Sequence, residues 1–312
     1  MRVLILGAGG VGGYFGGRIA EAGTDVTFLV RPKRREQLLR DGLRISSPVG
    51  DAQLTVKTTT SSDVRADYDV VFLACKAYDL ESAIDAVAPA IGEGTKLLPL
   101  LNGMAHFDRL DARFGRAAVL GGTCTLQVSL GDDGVIRHSG PFQRIVFGER
   151  DSSQGPVAAS LSAAFGASKA GWEHATDIDQ ELWEKIVFLS AMAATTCLFR
   201  ANMVEIASTS AGRDALERAV DANVAVAVKE GRTPRPEAMT MMQSVFTGQS
   251  GPLTSSMLRD LERGRAVESD HIVGWMLDRA RANGVDDAVL SLAYVHLKAY
   301  EARRAAGRLG PS

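Results

Sequence analysis

The segment 1-MRVLILGAGGVGGYFGG-17 decides how the rest of the chain is read. Val3-Leu4-Ile5-Leu6 is an uninterrupted apolar run, short enough for a strand buried on both faces, and Gly7 ends it abruptly. Gly7-Ala8-Gly9-Gly10-Val11-Gly12 is a G-x-G-x-x-G, and helical residues follow through Ala22. Strand, glycine turn and helix in that order are what a dinucleotide site requires. Gly7 permits the tight turn, Gly9 lets backbone approach a pyrophosphate, and Gly12 lets the helix lie close on the strand. The first helical N–H groups, those of Gly10 and Val11 among them, offer phosphates the positive end of the helix dipole. The competing reading is a flexible glycine-rich turn, since 32 glycines in the chain raise the chance rate.

Outward from this motif, short apolar runs alternate with helix-like segments. Asp25–Val30 (DVTFLV) and Asp69–Cys75 (DVVFLAC) read as further strands of the same kind. Lys96–Leu101 (KLLPLL) is a weaker strand because it contains Pro99. Thr123–Ser129, Val135–His138 and Ile145–Glu149 suggest an antiparallel addition. From about Asp177 helical periodicity takes over, in Ile178–Arg200, Ala211–Lys229, Pro236–Thr247, Glu268–Ala282 and Ala288–Arg304, with Asn283-Gly284 as a stop signal. The fold class expected is α/β, an N-terminal Rossmann-type doubly wound parallel sheet followed by a mostly α-helical C-terminal domain. The boundaries expected are 1–175 for an NADP-binding domain and 176–312 for a helical substrate and dimerisation domain.

Composition narrows the class of function. Of 312 residues, 46% are hydrophobic and 23% charged, the balance of a globular protein. A net charge of −2 gives no basic field for nucleic acid or anionic lipid. Cys75, Cys124 and Cys197 form neither a disulfide framework nor a metal-ligand pattern, which fits the reducing cytoplasm. The uncharged run 186–199 is shorter than the ~20 residues that span a bilayer, so a buried helix is expected rather than a membrane segment. Met1–Leu6 is too short for a secretory signal and runs into the glycine turn with no cleavage-site pattern, so none is expected. The five histidines, at 106, 138, 174, 271 and 296, have no metal-ligand spacing and are expected at the surface or a boundary.

The end of the second strand bears on the cofactor. An acid there would hydrogen-bond the adenine ribose of NAD, but this chain has Arg31, followed by Pro32-Lys33-Arg34-Arg35. A guanidinium pairs with a 2′-phosphate that a carboxylate would repel, so NADP(H) is expected. Some of Lys33, Arg34 and Arg35 read simply as a solvated helix start.

Several stretches taken together resemble the ketopantoate reductase (2-dehydropantoate 2-reductase) family. They are the glycine-rich start, Leu29-Val30-Arg31-Pro32, Ala74-Cys75-Lys76-Ala77-Tyr78, Leu101-Asn102-Gly103-Met104, Leu182-Trp183-Glu184-Lys185 and Ser255-Ser256-Met257-Leu258-Arg259-Asp260, with Glu268 at the expected distance beyond. The resemblance implies NADPH-dependent reduction of a 2-oxo acid, with Lys185 as general acid and Glu268 as a carboxylate near the substrate. It also implies that Lys76 and Asn102 reach cofactor or substrate, and that Ser256 partners a substrate carboxylate. Read singly, these residues have plainer explanations. Lys185 pairs with Glu181 at i−4, Lys76 is a loop lysine, Asn102-Gly103 is a turn, and Ser256 is a helix N-cap.

The resemblance also exposes a departure. The family's asparagines four and eight residues after the lysine are here Leu189 and Ala193, and a third falls near Met203, with Asn202 adjacent. Such a pocket wall suits a substrate more apolar than ketopantoate, unless other groups supply the missing donors and pantothenate biosynthesis is retained. A catalytically silent NADP(H)-binding protein is the reading from another class, though cofactor binding alone requires neither Lys185 nor Glu268. A β-hydroxyacid dehydrogenase of the same domain order is the runner-up among enzymes. The apolar C-terminal helices leave room for a homodimer.

Overall fold

The computed structural model describes residues 1–309, the side chain of Pro141 excepted; the last three residues of the expected helical domain, 310–312, lie outside the described residues. Two compact units result, one of 1–101 with 106–179, the other of 102–105 with the chain from Gln180 onward.

The first unit is built from β1 (Arg2–Leu6), α1 (Gly10–Glu21), β2 (Asp25–Leu29), α2 (Pro32–Asp41), β3 (Leu43–Ser46), β4 (Ala52–Leu54), β5 (Lys57–Thr59), β6 (Val70–Leu73), α3 (Leu80–Val87), β7 (Lys96–Pro99), most of α4 (Ala105–Phe114), β8 (Gly121–Leu130), β9 (Val135–Gly148), α5 (Gly155–Gly166) and β10 (Gly171–His174). Its main sheet is wholly parallel, in the order β5-β2-β1-β6-β7. Strand order reverses at β1, which is where doubly wound sheets place their ligands. The all-apolar β6 is buried throughout, as a central strand covered on both faces must be. Pro99 sits at the end of an edge strand, where its missing N–H breaks no ladder, and the next residue, Leu100, still donates to the Leu73 carbonyl at 2.8 Å.

A second sheet, which sequence reading saw only in part, runs β10-β9-β3-β4, with β8 paired antiparallel to β9. The β3–β4 hairpin was not recognised as strand at all. Helix α1 lies between the two sheets, and its glycines explain how. A Cβ on Gly12 would sit 2.5 Å from the Gly7 carbonyl oxygen, and one on Gly16 would sit 2.8 Å from Ile5, both toward the parallel sheet. On the other side, a Cβ on Gly13 would meet Ile136 at 2.3 Å and one on Gly17 would meet Ile45 at 2.7 Å. Five glycines in twelve residues cost the helix about 5 kcal/mol of intrinsic propensity relative to alanine. Burial of Ile5, Phe28, Ile45, Ile136 and their neighbours, at roughly 1.5–3 kcal/mol per large side chain, outweighs that loss. The fully buried Arg18 secures the far end, donating to Glu21 at 2.8 Å and to the Gly50 carbonyl at 2.6 Å, with its guanidinium over Tyr14.

The second unit holds α6 (Ile178–Phe199, from Gln180), α7 (Met203–Ala207), α8 (Gly212–Lys229), α9 (Pro236–Phe246), α10 (Ser256–Glu262), a single π-helical turn (Asp270–Gly274), α11 (Trp275–Ala282) and α12 (Ala288–Ala305). By length and composition α6 could cross a bilayer, but 72% of its apolar window is buried inside the protein. Its threonine hydroxyls bond locally, Thr195 donating to the Ala191 carbonyl at 2.8 Å and Thr196 to that of Met192 at 2.7 Å. It is the core helix of this unit.

The glycine packing makes a direct prediction. Gly12→Ala gains helix propensity but drives its methyl against backbone, and a net loss of about 1–3 kcal/mol is expected by denaturant titration. Gly9→Ala, whose Cβ would meet nothing within 4 Å, should stay within about 0.5 kcal/mol of the wild type.

Candidate active site

At the carboxyl end of β1, Gly7 adopts φ +85° and donates its N–H to the Leu29 carbonyl at 2.9 Å. Gly9 is the N-cap of α1, and the space where its side chain would stand is open. Gly10, by contrast, is closely faced by Val128, and Gly12 is buried against the turn. Val11 is partly exposed. Arg31 is exposed as the N-cap of α2, and Lys76 heads a 3-10 turn (Ala77–Asp79) after β6.

Arg34 was read only as part of a basic helix start, yet it is the arginine tied to the glycine turn. Its Nη2 and Nε donate to the Ala8 carbonyl at 2.9 and 3.2 Å, and its Nη1 reaches Gln37 at 2.6 Å. Burial, then the nearby Arg44, lowers its pKa below the ordinary arginine value. No local spacing signals this contact, because Ala8 and Arg34 meet only once β1 and β2 are paired.

The other expected residues gather in the second unit. Asn102, expected at the sheet edge, belongs with the helices. The reason is Gly103, at φ +86°, whose Cβ would lie 2.3 Å from the His271 carbonyl oxygen, so the Asn102–Ala105 segment lies directly against the π-helical turn. Glu268 is buried, only 7% exposed, two residues before that turn. The single long helix expected from Glu268 therefore begins with a π-helical turn, a feature frequent at functional sites. Asp270 fixes the turn by accepting from Tyr294 at 2.7 Å and Lys298 at 3.1 Å, while Ser269 donates to Glu301.

On α6, Lys185 and Leu189 are partly exposed and Ala193 is buried. Beside Lys185, Arg235 donates to Glu181 and Glu184 together, and its backbone N–H reaches Glu184 at 2.8 Å. Burial pushes the Glu184 carboxyl up, but hydrogen bonds from Arg235 and Gln180 outweigh it and hold the group below the ordinary glutamate range. The N-cap of α10 is Ser255, not Ser256: its Oγ accepts from the Leu258 N–H at 3.0 Å and shares a hydrogen bond with Thr196 at 2.7 Å. Ser256 is the first helical residue and is partly exposed. Asn202, beside the missing third asparagine, is occupied in a capping box with Glu205. Burial pushes the Cys197 thiol up to about 12, so it is no nucleophile. His106 and His138 are buried, whereas the histidines were expected at the surface or a boundary.

The family described as ketopantoate reductase PanE/ApbA matches residues 3–152, and its C-terminal counterpart matches 177–301. The chain belongs to the ketopantoate reductase family. It is 37% identical to a Bacillus subtilis protein named uncharacterized oxidoreductase YkpB, over 97% of this chain and 100% of that one. It is 30% identical to a 2-dehydropantoate 2-reductase of Halobacterium salinarum, over 91% and 94%. Among solved structures, a PanE/ApbA family ketopantoate reductase from Ralstonia eutropha superposes with a TM-score of 0.87 at 25% identity, covering 98% of this chain and 100% of that one. D-mandelate dehydrogenase with NADH and anilino(oxo)acetate shares the fold, with a TM-score of 0.86 at 22% identity and coverage of 98% and 100%. The reductase-family oxidoreductase described here thus keeps the family's domain order along nearly its whole length.

Arg235 is the second residue that sequence reading missed, for it lies 51 residues beyond Glu184, which it holds. Arg235→Ala should destabilise the protein by about 1–3 kcal/mol at neutral pH, since a buried carboxylate loses its charged donor. Because Glu184's pKa is lowered in the folded state, its contribution is complete above the ordinary glutamate pKa of ~4.3 and disappears as pH falls through the folded value. The difference between wild type and variant, followed by urea titration, should therefore be largest near neutrality and shrink in acid.

Proposed function

We propose that this chain is an NADPH-dependent reductase of small 2-oxo acids or related ketones, working in the cytoplasm, whose preferred substrate is more apolar than ketopantoate. The observation that carries the reading is Lys185, a partly exposed ammonium heading the core helix of a unit that also holds the buried carboxylate Glu268. Cofactor binding alone explains neither.

The glycine turn fits a dinucleotide, because the open space at Gly9 lets a pyrophosphate approach bare backbone beside the start of α1. Gly7, Gly9, Gly10, Val11 and Gly12 would line that approach, with Gly10 and Gly12 filling packing roles as well. Arg31, exposed just beyond β2, would pair with a 2′-phosphate, which supports NADP(H). Lys76 and Asn102 would contact the cofactor or the substrate. When bound, the nicotinamide supplies the hydride. The protein must then stabilise and protonate the alkoxide oxygen that hydride addition creates. Lys185 serves by hydrogen-bonding the carbonyl oxygen and giving up one ammonium proton to it as the alcohol forms. Glu268 orients that ammonium or a substrate hydroxyl, and Ser256 offers its hydroxyl to the substrate carboxylate.

Substrate preference follows from Leu189, which presents apolar surface one helical turn from Lys185. A substrate hydroxyl desolvated there without a partner costs about 1–3 kcal/mol, a factor of roughly 5 to 150 in kcat/KM. The D-mandelate dehydrogenase of this fold, with its bound anilino(oxo)acetate, is a precedent for aryl-sized ligands in such a scaffold.

A panel of 2-oxo acids with NADPH and NADH tests the proposal. Branched or aryl 2-oxo acids should exceed ketopantoate in kcat/KM, and Leu189→Asn should shift preference back toward ketopantoate. Lys185→Ala should lower kcat by about 10²–10⁴-fold with NADPH affinity retained. Arg31→Ala should lose much of the preference for NADPH over NADH. Ketopantoate turnover equal to the best of the panel would overturn the substrate assignment, and a chain that binds NADPH yet reduces nothing would be a binding protein only.

A further inference from the structure

The turn after β1 holds Gly7, Gly9 and Gly10, and glycine backbone loses more freedom on ordering than that of any other residue. A ligand that met this turn loose would have to order it, at a cost in affinity. Arg34 orders it beforehand. Its Nε and Nη2 grip the Ala8 carbonyl at 3.2 and 2.9 Å, while Nη1 holds Gln37 at 2.6 Å and the Gly134 carbonyl at 3.3 Å. Gly134 closes the turn between β8 and β9 at φ +75°. A Cβ there would collide with the Gln37 amide and stand 2.9 Å from Arg34 Nη1, so the clasp needs glycine at this position. The same hairpin sets Val128 against Gly10, 2.9 Å from where a Cβ would stand. The second sheet thus reaches the glycine turn at two points, one of them through Arg34.

We propose that Arg34 is a positioning residue for the cofactor, fixing the direction of the Gly9 N–H that a pyrophosphate would meet; the proposal rests on the dinucleotide reading given above. The peptide joining Ala8 to Gly9 is trans, so its C=O and N–H point in opposite directions. Drawing the carbonyl to Arg34 turns the N–H the other way, on the residue whose side-chain position is open. A lysine cannot replace this grip. An ammonium is a point donor, whereas the guanidinium fork sets two bonds on one oxygen and aims a third donor at the hairpin. Arg34 therefore differs in kind from Arg31. Arg31 would read the 2′-phosphate, which NADPH has and NADH lacks, whereas Arg34 acts on the turn that meets the pyrophosphate, which both have.

Titration of the full chain with NADPH and with NADH, followed by cofactor fluorescence, tests this. Arg34→Ala should raise both dissociation constants by the same factor, about 10- to 100-fold, and the rise should appear in KM for the cofactor rather than in kcat. Arg34→Lys should recover little of this loss. Gly134→Ala, which alters no charge, should weaken both cofactors together by pressing on the far side of the clasp. Weakening of NADPH alone in Arg34→Ala would make Arg34 a phosphate contact and overturn the proposal. Full recovery in Arg34→Lys would overturn it too. If the wild type binds both cofactors and Arg34→Ala binds them as tightly, this inference alone falls. A wild type that binds neither overturns the dinucleotide reading along with it.

Discussion

Everything in the first unit depends on a helix thin enough to lie between two sheets. The diameter of α1 with ordinary side chains would hold those sheets apart; glycine on both flanks lets Ile5 and Phe28 press from one side and Ile45 and Ile136 from the other. The same closeness fixes the helix N-terminus at the carboxyl end of β1, with Gly7 turned out of the strand at φ +85°. Helix packing and the tight turn after β1 are thus met by one run of residues. Helix propensity is sacrificed to both, and burial replaces it many times over.

In the second unit the governing feature is charge placed at the entry of a buried helix. Once α6 enters the core it carries two threonine hydroxyls bonded to its own backbone and no ionised group until Arg200. Its first turns hold Glu181, Glu184 and Lys185, and Arg235 takes up both carboxylates. The ammonium of Lys185 is thereby carried on a turn braced from a separate loop. The π-helical turn plays a matching part for Glu268, since Asp270 and Ser269 tie it to α12 while Gly103 presses the Asn102 segment against the His271 carbonyl.

The parallel strands and the C-terminal helices were legible because each carries its own periodicity: unbroken apolar runs for strands buried on both faces, and three-to-four spacing for helices. The hairpin of β3 and β4 was not, since its strands are short and mixed in polarity, and β3 owes its form to pairing with β9 and β4 to pairing with β3. Ser255 and Ser256 were indistinguishable as caps, because only the position of Thr196 across the core shows which hydroxyl turns inward. The length of the glycine run was visible from the start, but a dinucleotide motif explains only Gly7, Gly9 and Gly12.

The sequence by itself determined the class of fold, the glycine turn, the placement of Lys185 ahead of an uncharged helix, and the replacement of polar neighbours by Leu189 and Ala193. These follow from local pattern and from residue identity, which need no knowledge of distant contacts. Tertiary structure decided which arginine grips the glycine turn, which one neutralises the carboxylates beside Lys185, why Gly10, Gly13, Gly16 and Gly17 cannot be larger, and where Asn102 belongs. Each of these is a contact between residues far apart in the chain. Such contacts arise from packing and from satisfying buried polar groups, and no sequence period encodes them.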